Sequence, residues 1–149
     1  MNISNGFDIS ASALTAQRLR MDIIASNIAN ANTTRGTYVN GKWIPYQRKL
    51  VEMQAIEPSG FANALQSAVN KQAGGGVEIS QVINDPTPFK RVYDPTNPDA
   101  GADGYVLMPN VDMVKEMADM ISATRSYEAN VTALNATKSM ISKALEIGK

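Results

Sequence analysis

Alternating strides of four and three along the first thirty residues meet Ile3, Phe7, Ser10, Leu14, Gln17, Met21, Ile24, Ile28 and Ala31. Only Ser10 and Gln17 are polar. A mean stride of about 3.5 is that of a coiled-coil seam, so the chain is expected to open on a long amphipathic helix. Ser10 and Ser12 are candidate caps where its regular part begins. The other end repeats the pattern through Met113, Met117, Met120, Thr124, Tyr127, Val131, Leu134, Lys138, Ile141 and Leu145, broken only at Thr124 and Lys138. No Pro or Gly interrupts residues 111–147. Pro109 and Asn110 lie just before, Asp112 stands where a cap belongs, and Gly148 follows as a stop. Two readings fit. The helices could pack on each other in one ordinary domain, or form a coiled coil partly with other copies. The abundance of Met and Ala in the seams leans toward the second, because Met suits surfaces that repack against several partners.

Residues 36–109 lose this period. Most of the ten glycines and all seven prolines lie here. TYVNGKWIPYQ and KLVEMQAI read as strands, with Asn40-Gly41 a hairpin turn signal. VEISQVI at 77–83 reads as a further strand, and KRVYD and GYVLM as shorter ones. From Pro58 to Gly76 the chain is small and polar, which predicts a mobile loop with a weak helical turn at 61–70. The expected fold is therefore α+β: long N- and C-terminal helices form a coiled-coil-like stem beside a small β-rich middle domain. The expected boundaries are 1–35, 36–109 and 110–149.

Composition narrows the function. Only 6% of the chain is aromatic, so a core must rest on Ala, Ile, Leu, Val and Met. Fourteen basic and fourteen acidic residues balance to zero. That argues against nucleic-acid binding, and it does little to keep copies apart. The chain has no His and no Cys, which excludes Ser–His and Cys–His nucleophiles and the usual zinc, haem and iron–sulfur ligands. No apolar run approaches the ~20 residues that span a bilayer, so no membrane insertion is expected. The start has no basic segment followed by an apolar one, so no cleaved signal peptide is expected.

Candidate chemistry is thin. Asp99, Asp103 and Gly104 fall at the first, fifth and sixth places of a calcium loop, but Gly101 and Asn110 stand where ligands belong. GGGVE lacks the Lys of a phosphate loop. Asp112, Glu116 and Asp119 read as a solvated helix face near the positive end of the dipole. Arg18 and Arg20 with Asp22, and Arg125 with Glu128, read as ordinary ion pairs. No catalytic residue, cofactor or metal is assigned, and no enzyme is expected.

The termini carry a resemblance. LTAQRLRMDIIASNIANANTTRGTY at 14–38 resembles the N-terminal signature of bacterial flagellar axial proteins, the rod and hook family. MISATRSYEANVTALNATKSM at 120–140 resembles that family's C-terminal signature, with its core at Arg125, Tyr127, Glu128, Ala129 and Asn130. NDPTPFKRVYDPTNPDAGADGYVLMPNVD at 84–112 is similar to the proximal-rod branch rather than to distal rod or hook proteins, and the short length agrees.

The resemblance implies a structural subunit of the basal-body rod, polymerising into the drive shaft that crosses the cell envelope. It implies export through the flagellar type III apparatus. The implied partners are other rod proteins and copies of itself. The interface residues it points to are Leu14, Met21, Ile24, Asn27, Ile28, Asn30, Met117, Met120, Arg125, Tyr127, Asn130, Val131 and Leu134. The asparagines at 27, 30 and 32 lie where the first helix must end. Asn can end a helix in the left-handed conformation, and its amide can satisfy a buried site between subunits. The alternative reading is a cytosolic coiled-coil adaptor or an export chaperone, which would share the helices but not account for the middle signature.

Overall fold

The chain is described from a computed structural model, which covers residues 3–56 and 75–147. All but the last two residues of the expected loop at 58–76, with its helical turn at 61–70, fall outside the described residues, as does Gly148. The order of elements is α1 (Ile3–Ala29), β1 (Thr37–Val39), β2 (Lys42–Ile44), β3 (Lys49–Ile56), β4 (Gly75–Asn84), β5 (Lys90–Tyr93), β6 (Tyr105–Met108) and α2 (Met113–Ile147). Two long helices enclose three two-stranded sheets, β1–β2, β3–β4 and β5–β6, so the fold is α+β.

The chain divides into two compact units. One takes Met1–Arg20, Glu52–Gln81 and Ala123–Lys149, and the other takes Met21–Val51 and Val82–Ser122. Each long helix therefore runs through both. In the first unit Ser10, Ala16 and Ala123 are buried. Ser10 and Ser12 are not caps, because α1 already begins at Ile3. The Ser12 hydroxyl donates to the Ile9 carbonyl (2.8 Å), one turn back, and accepts from the Val77 N–H (3.1 Å). It thus holds the start of β4. Gly76 stands beside it with φ +64°, and a Cβ there would collide with the Ser12 side chain. The third glycine of the GGG run is needed for that approach.

The second unit holds both hairpins. Asn40 and Gly41 have φ of 51° and 80°, as a two-residue turn matched to strand twist requires. The turn sets the β1–β2 register, Tyr38 against Trp43 and Val39 against Lys42. The β5–β6 ladder pairs Lys90 with Met108 and Tyr93 with Tyr105. Gly36 lies against the chain entering β3, where a Cβ would sit 2.7 Å from the Tyr46 backbone nitrogen. α2 begins as its sequence predicts: the Asp112 carboxylate accepts from the N–H groups of Val114 (3.0 Å) and Lys115 (3.3 Å).

The inward stripe of α2 differs from the expected one. Glu116, Met120, Ala123, Tyr127, Asn130, Leu134, Thr137 and Ile141 are buried or half-buried, again at strides of three and four. Met113, Met117, Lys138 and Leu145, assigned to the seam from apolarity, are exposed. Phe7 on α1 is exposed too. The cause is that the buried face admits polar side chains wherever they are hydrogen-bonded, which a purely apolar pattern cannot register.

Candidate functional site

The second unit is organised around a buried polar node. Asn27, on the last turns of α1, is 1% exposed. Its amide donates to the Lys49 carbonyl (2.9 Å) and to Glu116 Oε2 (3.0 Å). Its oxygen accepts from the Lys49 N–H (2.9 Å) and the Tyr46 hydroxyl (2.9 Å). A carboxamide has two donors and two acceptor sites, so this side chain is saturated within the chain. It pairs with Lys49 as a neighbouring strand would, and so fixes where β3 begins. It does not adopt the left-handed conformation, since Asn40 is the only non-glycine with positive φ among the described residues.

Asn30 lies just past α1. Its backbone N–H (3.1 Å) and its side-chain amide (2.9 Å) both reach the Ser26 carbonyl, one of those the helix end leaves without a partner. The Thr33 hydroxyl donates to Asn30 Oδ1 (3.3 Å). Asn32 is exposed.

Arg48 is the second half of the node. Its Nε donates to Glu116 Oε1 (2.6 Å) and its Nη1 to Asp85 Oδ2 (3.2 Å), and Asp119 Oδ2 lies 3.7 Å from Nη2. Glu116 is 1% exposed, so the solvated acidic face expected at 112–119 is corrected at its centre. Burial of that carboxylate is tolerable because a guanidinium and the Asn27 amide complete its hydrogen bonds. Asn110 bonds the Arg48 N–H (2.8 Å) and both the carbonyl (3.1 Å) and the hydroxyl (2.9 Å) of Thr87. The Asp85 N–H donates to the Arg48 carbonyl (2.8 Å). Four segments are thereby tied together: the end of α1, the entry to β3, the exit from β4 and the first turns of α2.

The Asp85 carboxyl is held below the ordinary carboxylate range, first by the Thr87 N–H, then by the Thr87 hydroxyl and by Arg48, against the opposing effect of burial. Asp99 is lowered by Arg35 and then Thr34, and Asp112 by the Lys115 and Val114 N–H groups. A carboxyl depressed on folding stabilises the fold fully above its unfolded pKa and stops doing so as pH falls through its folded value. Unfolding free energy is therefore expected to be level from pH 7 to about 5 and to fall below about pH 4. Urea titrations of the wild type and Asp85→Asn across pH 2–7 check this, and the variant should lose less stability on acidification.

Asp99, first place of the candidate calcium loop, is engaged by the Thr34 hydroxyl (2.8 Å) and the Arg35 Nε (2.7 Å). No three acidic side chains among the described residues group as metal ligands. Among the described residues no helix is long and apolar enough to cross a membrane.

The predicted interface residues divide by position. Ile24 is buried with Asn27, whereas Leu14, Met21, Ile28, Asn30, Met120, Tyr127, Asn130, Val131 and Leu134 are half-buried. Met117 and Arg125 face outward, and Arg125 pairs with Glu128 at 2.9 Å. The structure brings only Asn27 into the node. Arg48, Asp85, Glu116, Tyr46 and Asn110 were missed. The one available signal was the stride of three and four, which reaches Glu116 when followed back from Ala123.

Much apolar surface is left outside. On α2, Met113, Val114, Met117 and Ile121 share one face and are 42%, 78%, 48% and 63% exposed. The paired rings Tyr38–Trp43 (5.1 Å) and Tyr93–Tyr105 (5.3 Å) are exposed as well, with Arg91 over Tyr105 at 5.1 Å. Single exposed hydrophobes are ordinary, but contiguous ones mark contact surfaces.

Comparison with known proteins agrees with this picture of a subunit. Residues 7–36 match the family model "Flagella basal body rod protein", and residues 102–147 match "Flagellar basal body rod FlgEFG protein C-terminal". The chain is 56% identical to the flagellar basal-body rod protein FlgC of Bacillus subtilis (strain 168), with all of both chains covered. It is 47% identical to that of Escherichia coli O6:H1 and 45% to that of Yersinia enterocolitica, again with both chains fully covered. These relatives are rod proteins and do not favour the adaptor or chaperone reading. From its two terminal signatures and its full-length likeness to these proteins, the chain belongs to the flagellar basal-body rod protein family, in its FlgC branch.

Proposed function

We propose that this chain is a structural subunit of the proximal rod of the flagellar basal body, joining copies of itself and other rod proteins in the shaft that transmits torque across the envelope. The observation that carries this reading is full-length likeness to FlgC proteins in a chain whose α2 leaves an apolar ridge uncovered. A shaft subunit needs no catalytic group. It needs long helices that continue into neighbours and a domain that holds its shape under load. The buried node supplies rigidity, because a fully satisfied polar network fixes one arrangement of the segments it joins. In this reading the terminal helices form the coiled-coil stem, with Leu14, Met21, Ile28, Met117, Arg125, Tyr127, Asn130, Val131 and Leu134 meeting neighbours. Asn27 and Ile24 act through the fold of the subunit. Export is by the flagellar type III apparatus, without a cleaved signal peptide.

Mass spectrometry of basal bodies, washed to remove loosely bound protein, tests the reading. The chain is expected in fixed proportion to the other rod proteins, starting at its encoded N-terminus. Its absence from basal bodies alongside abundance in the cytosol would overturn it in favour of an adaptor.

A further inference from the structure

With no cysteine in the chain, methionine is its only sulfur open to oxidants. The methionines differ sharply in access. Met113, Met117 and Met140 are 42%, 48% and 61% exposed, whereas Met21, Met53, Met108 and Met120 are half-buried. Two of the exposed three belong to the α2 ridge, where Val114 and Ile121 flank Met117. We propose that Met117, with Met113 beside it, is a thioether oxidation site that decides whether this ridge can be covered by a neighbouring copy of the chain. The proposal rests on the rod-subunit reading above.

The chemistry needs only a hydroperoxide. The Met117 sulfur lone pair attacks the distal peroxide oxygen, an S–O bond forms, the O–O bond breaks, and water leaves after proton transfer. The thioether is oxidised by two electrons and the peroxide reduced by two. The product is a polar, chiral sulfoxide in place of a flexible apolar side chain. An exposed sulfoxide is well solvated, so the free subunit keeps its fold. Burying it in an interface that offers no donor removes that solvation. Oxidation therefore acts on assembly and leaves the free subunit intact, and a covered ridge shields its own sulfur.

Limited hydrogen peroxide treatment, read by peptide mass spectrometry, compares the purified free chain with isolated basal bodies. In the free chain Met113, Met117 and Met140 are expected to oxidise at least about fivefold faster than the half-buried methionines, and in basal bodies Met117 should be protected about tenfold. In cells, Met117→Leu is expected to enter basal bodies at wild-type proportion. Met117→Gln, which places a polar group of similar size there, should enter at less than about a fifth of it while keeping the wild-type thermal midpoint when purified. Basal bodies that contain the chain with Met117 oxidised as fast as in the free chain would overturn this proposal alone. So would normal incorporation of Met117→Gln. Basal bodies that lack the wild-type chain would overturn the rod-subunit reading, and this proposal with it.

Discussion

Arg48→Ala is expected to destabilise the isolated chain by about 3–5 kcal/mol, the cost of breaking a buried ion pair by removing one partner. The Arg48 side chain is 11% exposed, and its partners Asp85 and Glu116 are 10% and 1% exposed. Without the guanidinium, two buried carboxylates face each other with Asp119 nearby and no cation among them. Nor can water enter freely, because Pro109, Val106 and Asn27 are themselves fully buried in this unit. Domains of this size are stable by only about 5–15 kcal/mol, so the loss removes a large part of the total. Arg48→Lys should recover little, since a single ammonium cannot reach Glu116 and Asp85 with a fork's geometry. The informative control is the double variant Arg48→Met with Glu116→Leu. Exchanging a buried pair for apolar groups of similar size is often close to neutral, so the double variant should be more stable than Arg48→Ala. Urea unfolding midpoints of the purified chains measure all three. A loss below about 1 kcal/mol for Arg48→Ala would mean that water reaches the node and the pair acts as a surface one.

Much of the fold was legible because it depends on local rules. Asn40-Gly41 announces its turn through the backbone conformations those residues tolerate, and Asp112 announces α2 through the N–H groups it must satisfy. The strands fell where β-branched and aromatic residues alternate. The node was not legible, for an equally physical reason. Its members are far apart in sequence: Asn27 meets Glu116 across 89 positions and Arg48 meets it across 68. Each is polar, so a reading based on apolar periodicity places each at the surface. Glu116 looked like part of an acidic exposed turn because Asp112 and Asp119 flank it, and those two are indeed the less buried members. The asparagine cluster was visible as a departure from helix propensity. Its three members nonetheless do different things: a core clamp at 27, a helix end at 30 and an exposed position at 32.

That division makes a graded prediction. Asn27→Ala is expected to cost about 3 kcal/mol. Alanine is the better helix former, which returns roughly half a kcal/mol at this position. Against that, the substitution leaves the N–H and C=O of Lys49, the Tyr46 hydroxyl and one Glu116 oxygen each short of a partner in a site with 1% exposure. Unmade hydrogen bonds at buried groups cost about 1–3 kcal/mol apiece, and local relaxation recovers part of the sum. Asn27→Asp should be no better, because it trades two donors for a charge facing Glu116. Asn30→Ala removes one helix-end bond and should cost about 1 kcal/mol, and Asn32→Ala should fall within about 0.5 kcal/mol of wild type. Denaturant unfolding gives the order, and amide exchange locates the cause: Asn27→Ala should speed exchange at Lys49, whose N–H loses its acceptor, more than at the start of α1. Suppose instead that Asn27→Ala unfolds like wild type yet fails to enter basal bodies. The amide would then act between subunits rather than within one, and the saturated geometry of the free chain would have to open on assembly.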